Sequence, residues 1–437
     1  MPQQKKNISF PSPFEIAIGL TVISIIWASF ATLDTGEKVL GRTWEVLGFW
    51  KDGFWGLLEF TMQMVLILVL GHAIAISKPV NRMLNKIANL AKTNTQAVMI
   101  TGISTMVAGF LNWGFGLILG AILARKIGEE AHANRKPVNY SLVAASGYLG
   151  MLIWHGGFSG SAPLKVAEPQ HFLMDKIGII PIEATLLSGF NLKINLILFL
   201  AIGVTLFALS KVHFKTNFPP ELSKKNKKVF QKSSSGFSGI IVGGIMVVLA
   251  LSEIWFQTGQ GLGFVHLNYI NFLLFGLALV FHINLSSFVK AIKNAIAGAS
   301  GIILQFPFYA AILGVLKESG LLVLVADFFV KISSPVSFPL YALFSAGLIN
   351  LFVPSGGGQW AVQGPVIIEA AQKMNLSIPQ MIMIMAYGDQ LTNMLQPFWA
   401  LPLLAITGVA PKELLKYTFY FFMVGGIVLG IGVYLAF

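Results

Sequence analysis

Four stretches of this chain place helix-breaking residues and polar side chains inside apolar surroundings. The first is Asn112-Trp113-Gly114-Phe115-Gly116. The second runs His155-Gly156-Gly157-Phe158-Ser159-Gly160-Ser161-Ala162-Pro163. The third is Val353-Pro354-Ser355-Gly356-Gly357-Gly358-Gln359. The fourth carries Asp389 and Thr392-Asn393 ahead of Pro397 and Pro402. Gly and Pro interrupt helices. A helix that restarts inside a membrane presents unpaired N–H groups and a partial positive charge, and it binds an anion without any Arg. Lys and Arg are missing from the middle of these four runs. An anionic substrate would therefore be held by backbone N–H groups and by Ser, Thr, Asn and Gln. The candidate substrate contacts are Asn112, Gly114, Gly116, Ser159, Ser161, Ser355, Gly356, Gly357, Gly358, Gln359, Thr392 and Asn393. Asp389 lies within an apolar run, where a carboxylate is expensive and functional by default. It is expected to take a coupling ion or proton, and with Asn112 and Asn350 it makes a possible Na+ site. His155 reads equally as a satisfied polar group or as a proton carrier. Trp113, Phe158, Trp360, Phe398 and Trp399 flank the breaks, where they would either wall a small apolar pocket or pack the core.

These residues need a membrane around them, and the composition supplies it. Of 437 residues 55% are hydrophobic and 11% charged, and mean hydropathy is +0.74. Soluble domains carry roughly 25% charged residues. A soluble enzyme, a disordered chain and a nucleic-acid binder are excluded. The net charge of +12 reads as a cytoplasmic skirt of Lys and Arg. The chain has no Cys, which excludes disulfides, thiolate metal sites and iron–sulfur clusters. No Walker A, HExxH or GxSxG pattern is present, so the expectation is a transporter with no cofactor, not an enzyme. Simple apolar runs long enough to cross a bilayer fall at about 14–33, 56–77, 193–212, 237–257, 268–286, 295–316 and 414–437. Longer, interrupted runs fall at 97–124, 138–165, 338–372 and 378–406. The first run, with Lys5, Lys6 and Ala28-Ser29-Phe30-Ala31, also fits a signal peptide, but a multi-pass chain favours an uncleaved span. Glu59 and Glu253 read as interfacial acids, and His72 and His282 as structural.

Charge decides how the interrupted runs cross. If 97–124 and 338–372 each cross once, Lys and Arg divide 13 inside to 17 outside. If each folds back to its own side, they divide 21 to 9, with the seven Lys of 211–232 inside. The positive-inside rule selects the re-entrant arrangement. The expected fold class is all-α: a polytopic membrane protein with about nine full spans and two re-entrant hairpins, N-terminus cytoplasmic and C-terminus outside. The halves also match at an offset of about 240 residues: Gln63 with Gln305, Asn112 with Asn350, Tyr148 with Tyr387 and Pro163 with Pro402. Opposed hairpins make the two repeats inverted, a pattern of secondary transporters with the site at midplane. The expected units are 1–55 (first span and connecting loop), 56–212 (first repeat, cytoplasmic hairpin 97–124), 213–290 (basic cytoplasmic loop and two linking spans) and 291–437 (second repeat, outside hairpin 338–372).

Several strings resemble the bacterial short-chain fatty acid transporter family, which includes acetoacetate and butyrate uptake proteins. They are Asp52-Gly53-Phe54-Trp55, Asn112-Trp113-Gly114-Phe115-Gly116, Gly156-Gly157-Phe158-Ser159-Gly160-Ser161, Gln305-Phe306-Pro307-Phe308-Tyr309, Val353-Pro354-Ser355-Gly356-Gly357-Gly358 and Gln396-Pro397-Phe398-Trp399-Ala400-Leu401-Pro402. The resemblance runs over roughly 14–437. It implies a member of the ion transporter superfamily, similar to divalent anion:sodium symporters. It further implies an elevator mechanism, a homodimer in the bacterial inner membrane in contact with lipid, and a small carboxylate substrate moved with Na+ or H+. The family's tip motifs map onto 112–116 and 355–358, and its acid-Gln motif onto Asp389-Gln390. His155 stands where the family often has a third Gly. A dicarboxylate or other organic anion symporter or exchanger is the alternative, and a channel is disfavoured by the inverted hairpins. The topology has a direct check in this Cys-free chain. A single Lys225→Cys substitution is expected to react with an impermeant maleimide only when the cytoplasmic face is opened.

Overall fold

The computed structural model describes residues 12–167, 171–214, 216, 218–219, 236–256, 267–352 and 354–437. Most of the basic loop 211–232, with Lys5, Lys6 and Val353, lies outside the described residues. Those described form helices and no strand. Helix α1 (Pro13–Ala31) starts at a capping box in which Ser12 and Glu15 serve each other's backbone N–H, which satisfies two of the donors every helix start leaves open. Helix α2 (Val39–Gly53) occupies part of the stretch expected to be connecting loop. It continues through Phe54-Trp55-Gly56 into α3 (Leu58–Ile76) with a 45° bend. A short amphipathic helix follows, α4 (Lys78–Leu90), and then α5 (Asn94–Leu111) and α6 (Trp113–Ala133).

Between α5 and α6 the chain reverses. A Cβ on Gly116 would lie 2.5 Å from the Gly109 Cα, an approach impossible across one straight helix of that length. The next run is broken into α7 (Tyr140–Ser146), α8 (Gly150–Ile153), a 3-10 turn at Trp154–Gly156 and α9 (Ser161–Lys165). The short α10 (Met174–Ile177) leads to α11 (Gly189–Lys211), and α12 (Ser238–Phe256) and α13 (Leu267–His282) pack as a pair. Amphipathic α14 (Leu285–Ala295) opens the second half. The order of helix kinds then repeats: long α15 (Ser300–Glu318), short α16 (Leu321–Lys331), and α17 (Phe338–Phe352) followed by α18 (Gly356–Lys373). A broken run comes next, α19 (Ile378–Thr392), a 3-10 turn at Asn393–Leu395 and α20 (Pro397–Thr407), and the last long helix is α21 (Pro411–Tyr434). The α17–α18 turn reverses as well, because Gln359 Nε2 donates to the Ala346 carbonyl at 2.9 Å and Gln363 Nε2 to Ser345 Oγ at 2.9 Å.

All four sequence breaks therefore fall at helix breaks. Among the described residues four helices are long and apolar enough to cross a membrane alone, α1, α11, α15 and α21, and five if the bent α2–α3 pair counts as one. The broken runs are buried against neighbours, as backbone at membrane depth requires. Glycine pairs set the closest crossings. Gly53 meets Gly314, Gly109 meets Gly150, and Gly120 meets Gly147, the small-residue contact that brings membrane helices together. A Cβ at Gly120 would lie 2.0 Å from the Gly147 carbonyl oxygen, whereas one at Gly203 meets nothing within 4 Å. Gly120→Ala is expected to destabilise the folded protein by about 1–3 kcal/mol and Gly203→Ala not to, read as thermal unfolding of the purified protein in detergent.

Candidate functional site

The two broken runs meet each other, and some of the groups freed by the breaks bond across the two halves. Gln390, on α19, accepts with Oε1 from the backbone N–H of His155 at 3.0 Å and of Gly156 at 3.2 Å. Asn191, at the start of α11, donates to the Gly156 carbonyl at 2.8 Å and accepts from the Tyr387 hydroxyl at 2.8 Å. Asn350, near the end of α17, donates to the Asp389 carbonyl at 2.7 Å, with Thr392 Oγ1 at 3.0 Å and Asn393 Oδ1 at 2.9 Å. Asn393 in turn donates to the Met151 carbonyl at 3.2 Å, and its own carbonyl accepts from the Tyr148 hydroxyl at 3.1 Å. Gln396 donates to the Asn350 carbonyl. Buried amides and carbonyls must find partners, and here side chains supply them.

The charged centre is His155 with Asp389, both almost fully buried, with His155 Nδ1 2.9 Å from Asp389 Oδ1. The Ala162 N–H donates to His155 Nε2 at 3.2 Å. That bond assigns the tautomer: Nε2 accepts, so Nδ1 carries the proton and donates it to the carboxylate. Trp154 stacks on the imidazole, ring centroids 4.3 Å apart. Onto this face comes the tip between α17 and α18. A Cβ on Gly356 would lie 2.8 Å from His155 Cε1, 2.9 Å from Trp154 and 3.3 Å from Ser161 Oγ, and one on Gly357 4.0 Å from Ser161. Only a glycine lets the tip backbone rest there. Ser355 caps α18 by accepting from the Gly358 N–H at 3.2 Å.

The expected site residues thus divide. Ser161, Gly356, Gly357, Asn350, Thr392, Asn393 and Asp389 gather around His155 and the α19 break, with Ser355 and Gly358 in the adjoining tip. Asn112, Gly114, Gly116 and Ser159 gather at the other tip. There Asn112 Oδ1 accepts from the Phe115 N–H at 3.0 Å as the cap of α6, and Ser159 Oγ accepts from the Trp113 N–H at 2.9 Å. Gly116 is used in the close packing on Gly109. Gln359 turns its amide nitrogen into the α17–α18 pair, toward Ala346 and Gln363. Asn191 and Gln363 were missed by sequence reasoning. The only signal for Asn191 is its spacing with Asn195 at the head of an apolar run, where Asn195 donates to Asn191 Oδ1 at 2.7 Å.

Several buried polar atoms have no partner among the described residues. Four are acceptors, Asp389 Oδ2, Asn350 Oδ1, Gln359 Oε1 and Gln396 Oε1. Three are donors, Gln390 Nε2, Trp154 Nε1 and Trp360 Nε1. Hard oxygen atoms of the first kind suit Na+, and N–H groups of the second kind suit a carboxylate. No group of three His, Asp or Glu is placed to hold a metal ion among the described residues.

The family model described as short chain fatty acid transporter matches residues 5–436. The chain belongs to that family. It is 36% identical over 435 residues to a protein of Escherichia coli provisionally named a short-chain fatty acid transporter, covering 97% of this chain and 95% of the relative. A Haemophilus influenzae protein with the same provisional name is 35% identical over 426 residues, covering 93% of this chain and 92% of the relative. Among solved structures the Alcanivorax borkumensis YdaH transporter aligns with a TM-score of 0.46 at 14% identity, covering 98% of each chain. Membership makes this chain a multi-pass membrane transporter, not an enzyme. The buried pair at its centre can be tested by a double-mutant cycle. His155→Ala and Asp389→Ala are each expected to cost about 3–5 kcal/mol of stability by stranding a buried partner. The double variant is expected to cost less than the two together, read from unfolding in detergent.

Proposed function

We propose that this protein takes up small monocarboxylates such as butyrate or acetoacetate across the cytoplasmic membrane by secondary active transport coupled to Na+ or H+. The observation that carries the reading is the buried His155–Asp389 pair, placed where the α7–α9 break, α19 and the tip at Gly356 converge. An ionisable pair at membrane depth is costly and marks a substrate or ion path. The substrate carboxylate is held by Ser161, by backbone N–H groups of the 355–358 tip and by the unpartnered Gln390 amide. The coupling cation takes Asp389 with Asn350, which offsets the charge of the anion at a site with no Lys or Arg.

The two halves are inverted repeats, and the two folded-back helix pairs are re-entrant hairpins on opposite sides. The repeated order of helix kinds and the charge distribution support this. Nine spans follow when the bent and broken helices are counted as crossings, with the N-terminus inside and the C-terminus outside. The hairpins and broken runs move as a block against α3 and its neighbours, in an elevator motion, and the protein works as a homodimer. In proteoliposomes, inward Na+ and pH gradients are imposed separately, and one of them is expected to drive labelled butyrate or acetoacetate above equilibrium. Asp389→Asn and Gly356→Val are expected to lower that uptake at least tenfold. Uptake indifferent to both gradients, or unchanged in both variants, would refute the reading.

A further inference from the structure

The Gln305-Phe306-Pro307-Phe308-Tyr309 string lies in α15, outside the site described so far. Gln305 and Tyr309 stand one turn apart and share a face of the helix. Gln305 is 6% and Tyr309 1% exposed, and Gln305 Oε1 and the Tyr309 hydroxyl both lack a partner among the described residues. Two unsatisfied polar groups on one buried helix face are far from ordinary, because each carries a desolvation penalty. The matching position in the first half shows what satisfaction looks like. Gln63, on α3, donates to Asn268 Oδ1 at 2.8 Å and to Glu59 Oε1 at 3.1 Å. Helix α13 supplies Asn268 there, and no polar group among the described residues does the same for Gln305 Oε1.

Two elements of the proposed moving block lie against this face of α15. From α20, Phe398 stacks on Phe306 with ring centroids 4.3 Å apart and meets Tyr309 edge-on at 4.7 Å. From the tip, a Cβ on Gly358 would be 3.8 Å from Leu313 Cδ2, and Leu313 is one turn beyond Tyr309. Aromatic contacts run back from Phe398 through Trp399, Trp113 and Trp154 to His155. Leu313, one turn beyond Tyr309 on the same helix, therefore borders the tip that carries the substrate N–H groups. Around Gln305 and Tyr309 the walls are aromatic, and no Lys or Arg is among these residues.

We infer that Gln305 and Tyr309 are the substrate-recognition residues contributed by α15. They hydrogen-bond the carboxyl head of a short monocarboxylate while its acyl tail lies against the edges of the stacked Phe306–Phe398 pair. The inference rests on the proposed monocarboxylate uptake and adds the second wall of its site. A phenol donates its O–H to a carboxylate and a carboxamide donates through its NH2, so Gln305 turns Nε2, not the unpartnered Oε1, toward the head.

The experiment measures initial rates of labelled butyrate uptake over a concentration series, with the full chain in proteoliposomes. Wild type is compared with Tyr309→Phe and Gln305→Leu. Each variant is expected to raise KM about 10- to 100-fold, the effect of losing a buried hydrogen bond to a charged group. The maximal rate should stay within about threefold, as for a contact equally strong throughout the cycle. Tyr309→Phe keeps the ring, so it serves where Gln305→Leu fails to fold. Butyrate titration of the detergent-solubilised protein gives a second reading, with a matching loss of affinity expected. An unchanged KM in Tyr309→Phe overturns the inference, and so does a lowered maximal rate at unchanged KM. Wild-type protein that takes up no butyrate or acetoacetate is a different result, since it removes the monocarboxylate reading itself.

Discussion

A peptide group that leaves its helix at membrane depth has no water to turn to, and most of this structure follows from that. Each of the two broken runs frees amides and carbonyls that nothing local can reach. The freed groups of the first break are taken by Gln390 and Asn191, and those of the second by Asn350 and Tyr148. The breaks are thereby tied to one another across the two halves. Neither could move alone without stranding buried polar groups, each worth a few kcal/mol. The same bonds that make the breaks tolerable make them a single body.

Within that body charge is used once. His155 donates its Nδ1 proton to Asp389, and the place of that proton is set by the Ala162 N–H on the far ring nitrogen. A second carboxylate oxygen of Asp389 stays bare. Gly356 of the tip comes down on this pair, where a side chain would collide with the imidazole and with Trp154. The tip that covers the pair is joined to the same body, because Gln359 and Gln363 tie α18 to α17 and Asn350 ties α17 to the α19 break.

Much of the fold was legible in the sequence. The Gly and Pro clusters at 112–116, 155–163, 353–359 and 392–402 marked the breaks, because those residues change backbone preference whatever surrounds them. Asp389 stood out because a carboxylate in an apolar run has few innocent explanations. Less legible were the residues that repair the breaks. Asn191, Gln363 and Gln396 resemble any other amide in a loop or span. Helix α2 was hidden as well, since Val39–Gly53 mixes Arg42, Glu45, Lys51 and Asp52 with apolar residues and no hydropathy run marks it. Ser159 and Asn112 have the types that bind an anion, yet both accept backbone N–H groups of their own tip.

The sequence by itself determined the membrane class, the four breaks and the acid Asp389 in an apolar run. Each is a property of a short window: mean apolarity, backbone freedom, or a charge among apolar neighbours. The tertiary structure alone decided which polar group answers which break. It paired His155 with Asp389 over a separation of 234 residues, sent Ser159 to Trp113, and left Gln305 and Tyr309 bare on α15. The physical reason is that a hydrogen bond is a matter of distance and direction within about 3 Å. An amide has the same chemistry at every position, so only the packing of the two halves could assign its partner.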